Sequence, residues 1–572
     1  MRTLRALATI SCAATFAGSL AAQSTLAPPP PAPPPPPAAP ERPAVSVSVS
    51  SRAGKTHAEP IPAGAEGGVK LSLRDAISLA IANNVDLQVS IAGDEQGFYG
   101  VLQARGIFDP LVTANVSASD QQSNNSSTLA GAAVTDQKVY VANVGVAQLL
   151  PTGGTLSLGF DNQKVDTNSS FVTVNPSYSA SPLLDLRQPL LRNFGRDSTT
   201  RFIRIAKNNQ GANDQLFLQN LHATITAVEQ AYWDLVYARQ NLLVKQESRD
   251  LAQELYRITK IKIDVGSQAP IDIVQTESGV AQRELDIITA RQAVGDAEDR
   301  LKRLLNFAAV NRWNDHVVPT DEVRVETMSI DTDAGVAAAL QNRPEVRGAI
   351  YAAANARINY DWARNQMLPQ LDLNANYGYS GLGGPTRTAG PDGVFGTSDD
   401  VILSGGYSDA FSQVRHGDFR NWSVGLTLGI PIGNRAARGA AGVARWSLEG
   451  NLASLEQLRQ NVTVEVRNAA RAMETARQSI AAAGKARELA ERNVDAAKKK
   501  YDNGLITSFE VLSIQNDLAS ARSAELQALT QYRNATVAYH RAVGDLLSWK
   551  EVQVDDLASV PVPEPESLRP SR

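Results

Sequence analysis

From residue 69 onward the chain alternates two patterns of apolar and polar positions. The first has a period of two. In "LVTANVSAS" (111–119), Val112, Ala114, Val116 and Ala118 fall on one side and Thr113, Asn115, Ser117 and Ser119 on the other; "TLSLGFD" sets Leu156, Leu158 and Phe160 against Thr155, Ser157 and Asp161. The same alternation over about 138–150, 177–188, 370–380 and 421–430 completes six predicted amphipathic strands. The second pattern is helical. Residues 201–265 and 434–501 contain no proline, and 65 residues at the α-helical rise span roughly 98 Å, a length that belongs to coiled coils. In the helices that follow, Ile273, Val280, Ile287, Val294 and Leu301 recur every seven residues, as do Ile514, Ala521, Ala528, Ala535 and Ala542. Such heptads mark helix-packing seams, and the alanine series permits close approach.

Both long helices are broken in the same way. "IDVGSQAPIDIV" (263–274) and "YDNGLITSFEVL" (501–512) place Gly266 where Gly504 stands and Asp272 where Glu510 stands. Other stretches also superpose: "IANNVDL" (81–87) on "LQNRPEV" (340–346), and "VEQAYWDLVYARQNL" (228–242) on "VRNAARAMETARQSI" (466–480). The chain therefore reads as an internal duplication. The first repeat is 69–330, with a β segment over 110–190 and a helical hairpin over 196–308 whose tip is 264–270. The second is 331–548, with a β segment over 369–432 and a hairpin over 434–548 whose tip is 502–508. Pro110 and Pro369 open the β segments and Pro189 and Pro431 close them, as suits a residue that cannot donate to a strand ladder.

One alternating strand is explained by the half-buried edge of a soluble sandwich. Six together, several with the ~9 to 11 residues that cross a bilayer at a tilt, point to a membrane sheet. Tyr377, Tyr379 and Trp422 lie on the apolar faces beside a long 381–420 connection, where an interfacial aromatic girdle belongs. The connections 123–136, 164–176 and 381–420 are long and polar, whereas "PTGG" (151–154) is a tight turn, an asymmetry of outer-membrane barrels. Six strands are too few to close a barrel, and open edges in lipid leave unpaired backbone groups. Several copies must pool their strands.

Composition adds an address. Arg2 and Arg5 precede "ALATISCAATFAGSLAA", which reads as a secretory signal peptide over 1–22. The only cysteine, Cys12, lies inside it, so no disulfide or thiol chemistry is expected of the exported chain. A proline-rich stretch, "PPPPAPPPPPAAPERP", predicts a disordered tether over 23–68, and 549–572 is expected to be a disordered tail. A formal net charge of −4 gives no reason to expect a nucleic-acid partner.

The order of signal peptide, short helices, β segment, long helix, break and return helix, with all but the signal occurring twice, resembles the TolC family of outer-membrane efflux proteins over about 71–548. "YDNGLITSFEVLSIQNDLASARSAEL" and "IDVGSQAPIDIVQTESGVAQREL" carry the resemblance: they are similar to the family's Gly-x-x-(Ser/Thr)-x-x-Asp-Val-Leu helix break, with Glu510 for the Asp in one and Ala269 for the Ser/Thr in the other. The resemblance implies an α+β membrane protein: a homotrimer with an outer-membrane β-barrel continued by a long α-helical barrel in the periplasm. It implies a passive exit duct for small molecules or proteins, in contact with outer-membrane lipid, docked by a periplasmic adaptor protein and fed by an inner-membrane pump of a tripartite efflux or type I secretion system. By position it implies a channel gate at Asp272 and Glu510, and an adaptor-docking tip drawing on Gly266, Gly504, Leu505, Thr507, Ser508 and Val511. Capping alone also explains the two carboxylates, since Thr507 and Glu510 form a Thr-x-x-Glu capping box and Asp272 falls in a first helical turn after Pro270. The family's type member has two strands per half whereas the first half here has four, so the trimer closes eighteen strands or leaves one hairpin outside the barrel. A trimeric, barrel-anchored coiled-coil structural protein of the cell surface is the alternative.

No enzyme site or cofactor is expected. His57, His222, His316, His416 and His540 have no ligand spacing, and "GLGGPT" (381–386) lacks the lysine of a phosphate-binding loop. "DGVFGTSDD" (392–400) reads as an acidic solvated loop, with calcium at Asp392, Asp399 and Asp400 as the other reading.

Overall fold

The computed structural model describes residues 46–49, 68–126, 131–323, 325, 330–391, 393, 399–555 and 560–568; the expected signal peptide and most of the expected tether lie outside them. The six alternating segments form strands β1 (Leu111–Asn124), β2 (Val134–Leu149), β3 (Thr155–Thr167), β4 (Ser177–Pro189), β5 (Gln370–Tyr379) and β6 (Arg420–Gly429). They lie in chain order in one antiparallel sheet, joined across the halves by β4 and β5, with a short strand Gly381–Gly383 added beside β4. All six expected strands therefore share one sheet, and neither hairpin of the first half stands apart.

The registers put the apolar residues on one face. Val112, Ala114, Val116 and Ala118 stand opposite Val146, Val144, Ala142 and Tyr140, which continue through Leu158 and Phe160 to Leu184 and Pro182. On β5 and β6 the same face carries Leu371, Leu373, Ala375 and Tyr377 opposite Leu428, Leu426, Val424 and Trp422. In a single copy much of this face is exposed: Val116 is 83% exposed and Leu426 66%, more apolar surface than a soluble monomer leaves to water. The opposite face is polar, and on it Arg187 of β4 pairs with Asp372 of β5 at 2.8 Å.

Helices α1 (Leu73–Asn83) and α2 (Val85–Arg105) lead into β1. From β4 the chain enters α3 (Arg201–Asp264) and returns as α4 (Ile271–Leu304). The order then recurs: α5 (Thr332–Asn342) and α6 (Pro344–Asn365) lead into β5, a ten-residue helix α7 (Tyr407–His416) lies between β5 and β6, and α8 (Arg435–Asp502) and α9 (Ser508–Val543) follow β6. α3 and α8 are about 96 and 102 Å long at the α-helical rise. The four long helices pack side by side in the order α4, α3, α9, α8. No helix among the described residues is long and apolar enough to cross a membrane.

The core is a belt where α3 and α8 pass the C-terminal ends of α4 and α9 and the short helices before each β segment. Phe217, Leu221, Tyr232 and Trp233 of α3 pack with Ile77 of α1 and Leu301 of α4, and Val346 of α6, Val462 and Met473 of α8, and Tyr539 of α9 form a second cluster.

Two expected disordered segments carry structure. After α9 stops at Gly544 (φ +84°), a short helix Leu546–Trp549 leads to a strand Val552–Asp555, which pairs antiparallel with Ser46–Val49. The expected tail over 549–572 and tether over 23–68 are corrected at these residues. Val47 and Val554 pack on the α3 core, and the Lys550 Nζ lies 2.6 Å from the buried Glu229 carboxylate. Each of these strands is too short to announce itself, since a four-residue ladder is stable only against its remote partner and the core beneath.

Candidate functional site at the helix turns

Both helix breaks have the same local cause. α3 ends with Gly266 at φ +75°, its N–H donating to Ile263 O at 2.9 Å while Ser267 N–H donates to Lys262 O at 2.8 Å. α8 ends with Gly504 at φ +71°, with Gly504 N–H donating to Tyr501 O at 3.0 Å and Leu505 N–H to Lys500 O at 2.9 Å. These pairs of bonds close a helix C-terminus through a left-handed residue. Nothing lies within 4 Å of where a Cβ on either glycine would point, so the backbone angle, and not space, selects glycine here.

The return helices start differently. Thr507 caps α9: its Oγ1 accepts from Glu510 N–H at 3.3 Å, and Glu510 Oε2 accepts from Thr507 N–H at 3.1 Å. α4 starts at Ile271 after Pro270 without a side-chain cap, and Asp272 sits in its first turn. From these starts α4 and α9 run upward together: Ser508 Oγ donates to Gln275 Oε1 at 3.5 Å, Arg283 Nη1 donates to Asn516 Oδ1 at 3.0 Å, and a Cβ on Gly279 would fall 2.9 Å from the Leu512 side chain. Asp272 and Glu510 thus occupy equivalent first-turn positions on two neighbouring helices, Asp272 half-buried and Glu510 exposed.

The residues expected to dock a partner divide into two groups. Gly266, Gly504, Leu505 and Thr507 are exposed, Leu505 at 72%. Ser508 and Val511 are buried, Val511 in a small cluster with Leu255 and Tyr501, so these two hold the hairpins to each other. The sequence reading overlooked Tyr501 and the exposed apolar residues Val265, Ile271 and Phe509. Tyr501, buried at the end of α8, fastens the second hairpin to the first. Its hydroxyl donates to Gln268 Oε1 at 2.9 Å and lies 2.6 Å from Thr259 Oγ1, its carbonyl accepts from Lys262 Nζ at 2.6 Å, and the same ammonium sits 4.0 Å from its ring centroid. A tyrosine three residues before a helix-ending glycine is the available signal.

Asp392 lies outside the described residues, and Asp400 pairs with Arg387 at 3.6 Å. Among the described residues no group of three or more His, Cys, Asp or Glu side chains could hold a metal ion. His222 is buried in α3, and burial is what pushes its pKa down to about 4.

The sequence pattern of the outer membrane efflux protein family matches residues 76–306 and 336–545, one stretch in each half. Outer membrane efflux protein BepC of Brucella suis is 24% identical over 345 residues, covering 59% of this chain and 68% of its own. The probable efflux pump outer membrane protein TtgC of Pseudomonas putida is 22% identical over 353 residues, covering 60% of this chain and 64% of its own, so the chain spans about two thirds of these relatives. Among solved structures, the Campylobacter jejuni CmeC outer membrane channel superposes with a TM-score of 0.59 at 17% identity, over 85% of this chain and 90% of that one. The outer-membrane channel OprN superposes with a TM-score of 0.60 at 16% identity, over 87% and 97%. Identity this low carries the fold alone, and the family match carries the rest: the chain belongs to the outer membrane efflux proteins, a transport family of the outer membrane.

Proposed function

We propose that three copies of this chain, each built by internal duplication, close into one outer-membrane conduit. An eighteen-stranded β-barrel crosses the membrane and continues into a barrel of twelve long helices in the periplasm. The observation that carries this reading is the agreement of the two layers. β1 and β6 are the free edges of the sheet, and α4 and α8 are the outer two of the four long helices; β6 leads straight into α8, while β1 follows α2, whose N-cap Asn84 donates to Leu304 O at the end of α4 at 2.9 Å. Both outer helices expose large apolar residues: Val274, Leu285 and Ile288 on α4, and Val443, Trp446, Val464 and Leu489 on α8. One rotation that sets β1 against β6 of the next copy also sets α4 against its α8, a head-to-tail contact that closes into a ring. The ring pairs every edge strand, as a lipid-embedded sheet requires.

Cargo leaves through the polar inner face without chemistry. Asp272 and Glu510, three of each, form an acidic ring inside the periplasmic mouth, favouring cations and resisting close approach through like-charge repulsion. The exposed Val265, Gly266, Gly504, Leu505, Thr507 and Phe509 form the surface on which a periplasmic adaptor docks, joining the conduit to an inner-membrane pump.

Because Cys12 is the sole cysteine, paired cysteines test the ring cleanly. Ser117→Cys on β1 combined with Ser423→Cys on β6, and with neighbouring positions to scan register, is expected to give oxidised dimers and trimers at one register. Oxidation that leaves only monomer at every register would refute the ring.

A further inference from the structure

Across β1 to β4 the apolar face ends in a row that does not belong to an ordinary lipid-facing band. Ala118, Tyr140, Lys164 and Tyr178 stand in register on successive strands, and the Lys164 Nζ lies 5.6 Å from the centroids of both tyrosine rings. The row beneath is narrow: Val116 and Ala142 stand opposite each other, as do Asn162 and Ala180. Small side chains under a row of large ones leave a trough, and a cleft of about 570 Å³ lies there, bounded by Val116, Ala118, Tyr140, Lys164, Tyr178 and Tyr407.

The far wall of the cleft is α7, which is built to sit on this face. A Cβ on Gly381 would come within 2.0 Å of Ala410 O, and one on Gly383 within 2.3 Å of Gly406 O, so the glycines let the helix backbone lie flat against the sheet. Gln413 bonds both the N–H and the carbonyl of Leu382 at 2.9 Å, the Tyr407 hydroxyl donates to Asn162 Oδ1, and Phe411 meets Phe160 edge to face.

We propose that this cleft is a lipid site: it takes an acyl chain along the trough, with a phosphate headgroup on Lys164. The proposal rests on the conduit reading, which turns this face toward lipid. Charge singles out Lys164. Further toward the loops, Lys138 stands in register between Asp120 and Asp166, so those charges offset one another. Lys164 forms no ion pair among the described residues. An ammonium flanked by two tyrosines, its stem along an apolar trough, suits the boundary between acyl chains and headgroups.

The test is native mass spectrometry of the detergent-solubilised, delipidated protein titrated with phosphatidylglycerol and with diacylglycerol of the same chains. Wild type is expected to take up phosphatidylglycerol in preference to diacylglycerol. Lys164→Gln is expected to weaken the phospholipid about tenfold, the size of one lost charge-assisted contact, whereas Lys164→Arg retains it and Lys138→Gln leaves it unchanged. Equal phospholipid binding by wild type and Lys164→Gln would overturn the site, as would equal loss in Lys138→Gln or displacement of the lipid by millimolar inorganic phosphate. A wild-type protein that fails to insert into bilayers removes the conduit reading and the site together; a conducting trimer with unaltered lipid binding in Lys164→Gln removes the site alone.

Discussion

The fastening at the tips can be tested through one oxygen atom. Tyr501→Phe keeps the ring, its packing against Leu255 and Val511, the Lys262 ammonium above it and the backbone bond to Lys262, and removes only the hydroxyl. That hydroxyl bridges Thr259 and Gln268 of the first hairpin from the second, and Thr259 is fully buried. Two hydrogen bonds at about 1 kcal/mol each, or one bond and a desolvated Thr259 left without a partner, give a loss of about 2 kcal/mol. If the proposed conduit opens by parting the two hairpins of a protomer, the loss falls on the closed state and multiplies the open population by about 30. Single-channel recording in planar bilayers reads this directly, and amide exchange over 255–268 and 501–512 is expected to speed up in parallel. Thr259→Val together with Tyr501→Phe is expected to cost less than the sum of the two, because they remove the same bond. Opening frequency and exchange both unchanged in Tyr501→Phe would refute the idea that this contact holds the mouth shut.

Glu510→Gln separates gating from capping, because glutamine still accepts from Thr507 N–H in a capping box. Thermal stability is expected to hold within about 0.5 kcal/mol while cation preference and closed-state conductance change, and Asp272→Asn is expected to act in the same direction; unaltered ion selectivity in the double variant would leave Glu510 as a cap and Asp272 as a first-turn charge against the helix dipole. Gly504→Ala is expected to destabilise its tip by about 1 to 2 kcal/mol through the left-handed angle alone, and Gly504→Asn by less, measured as local exchange rates. Acid should weaken the belt at His222. Its folded pKa of about 4 lies below the ordinary value of 6.5, so the unfolded chain binds the extra proton between these values, and stability, full above about pH 6.5, falls by up to about 3 kcal/mol as pH drops through the window. His222→Gln is expected to flatten that part of a melting-temperature profile between pH 7 and 4.

Period and punctuation made much of this molecule legible. Alternation in "LVTANVSAS" fixes which residues of β1 share a face because a strand has only two faces, and an Asp-Asn-Gly run must end a helix whatever surrounds it. What escaped was decided by remote partners. Tyr501 reads locally as another helical aromatic, and only the approach of Thr259 and Gln268 from the other hairpin gives its hydroxyl work. Ser508 and Val511 lie in a motif that reads as surface, yet α4 and α3 cover them. In α7 the spacing of Tyr407, Ala410, Phe411 and Val414 is helical, but a ten-residue helix is marginal alone, and its seat is made by Gly381 and Gly383 on another segment. The strand Ser46–Val49 needs Val552–Asp555 from the far end of the chain.

The extra hairpin of the first half follows from the same geometry. In the proposed trimer, twelve long helices side by side at about 10 Å between axes would enclose a circumference of about 120 Å. Strands spaced about 4.8 Å apart and tilted about 40° from the axis each occupy about 6.3 Å of perimeter. Twelve strands therefore reach only about 75 Å, and the helices beneath must taper to meet them, whereas eighteen reach about 113 Å. With six strands over four long helices in each copy, the sheet can sit on the helical layer at nearly equal girth, and β4 and β6 can pass into α3 and α8 without drawing inward. In the proposed conduit the sheet would then impose no constriction, which leaves the helix turns that carry Asp272 and Glu510 as its narrowest part. Charge changes at Asp272 and Glu510 should accordingly dominate conductance, while polar substitutions on the inner face of the strands leave it nearly unaltered.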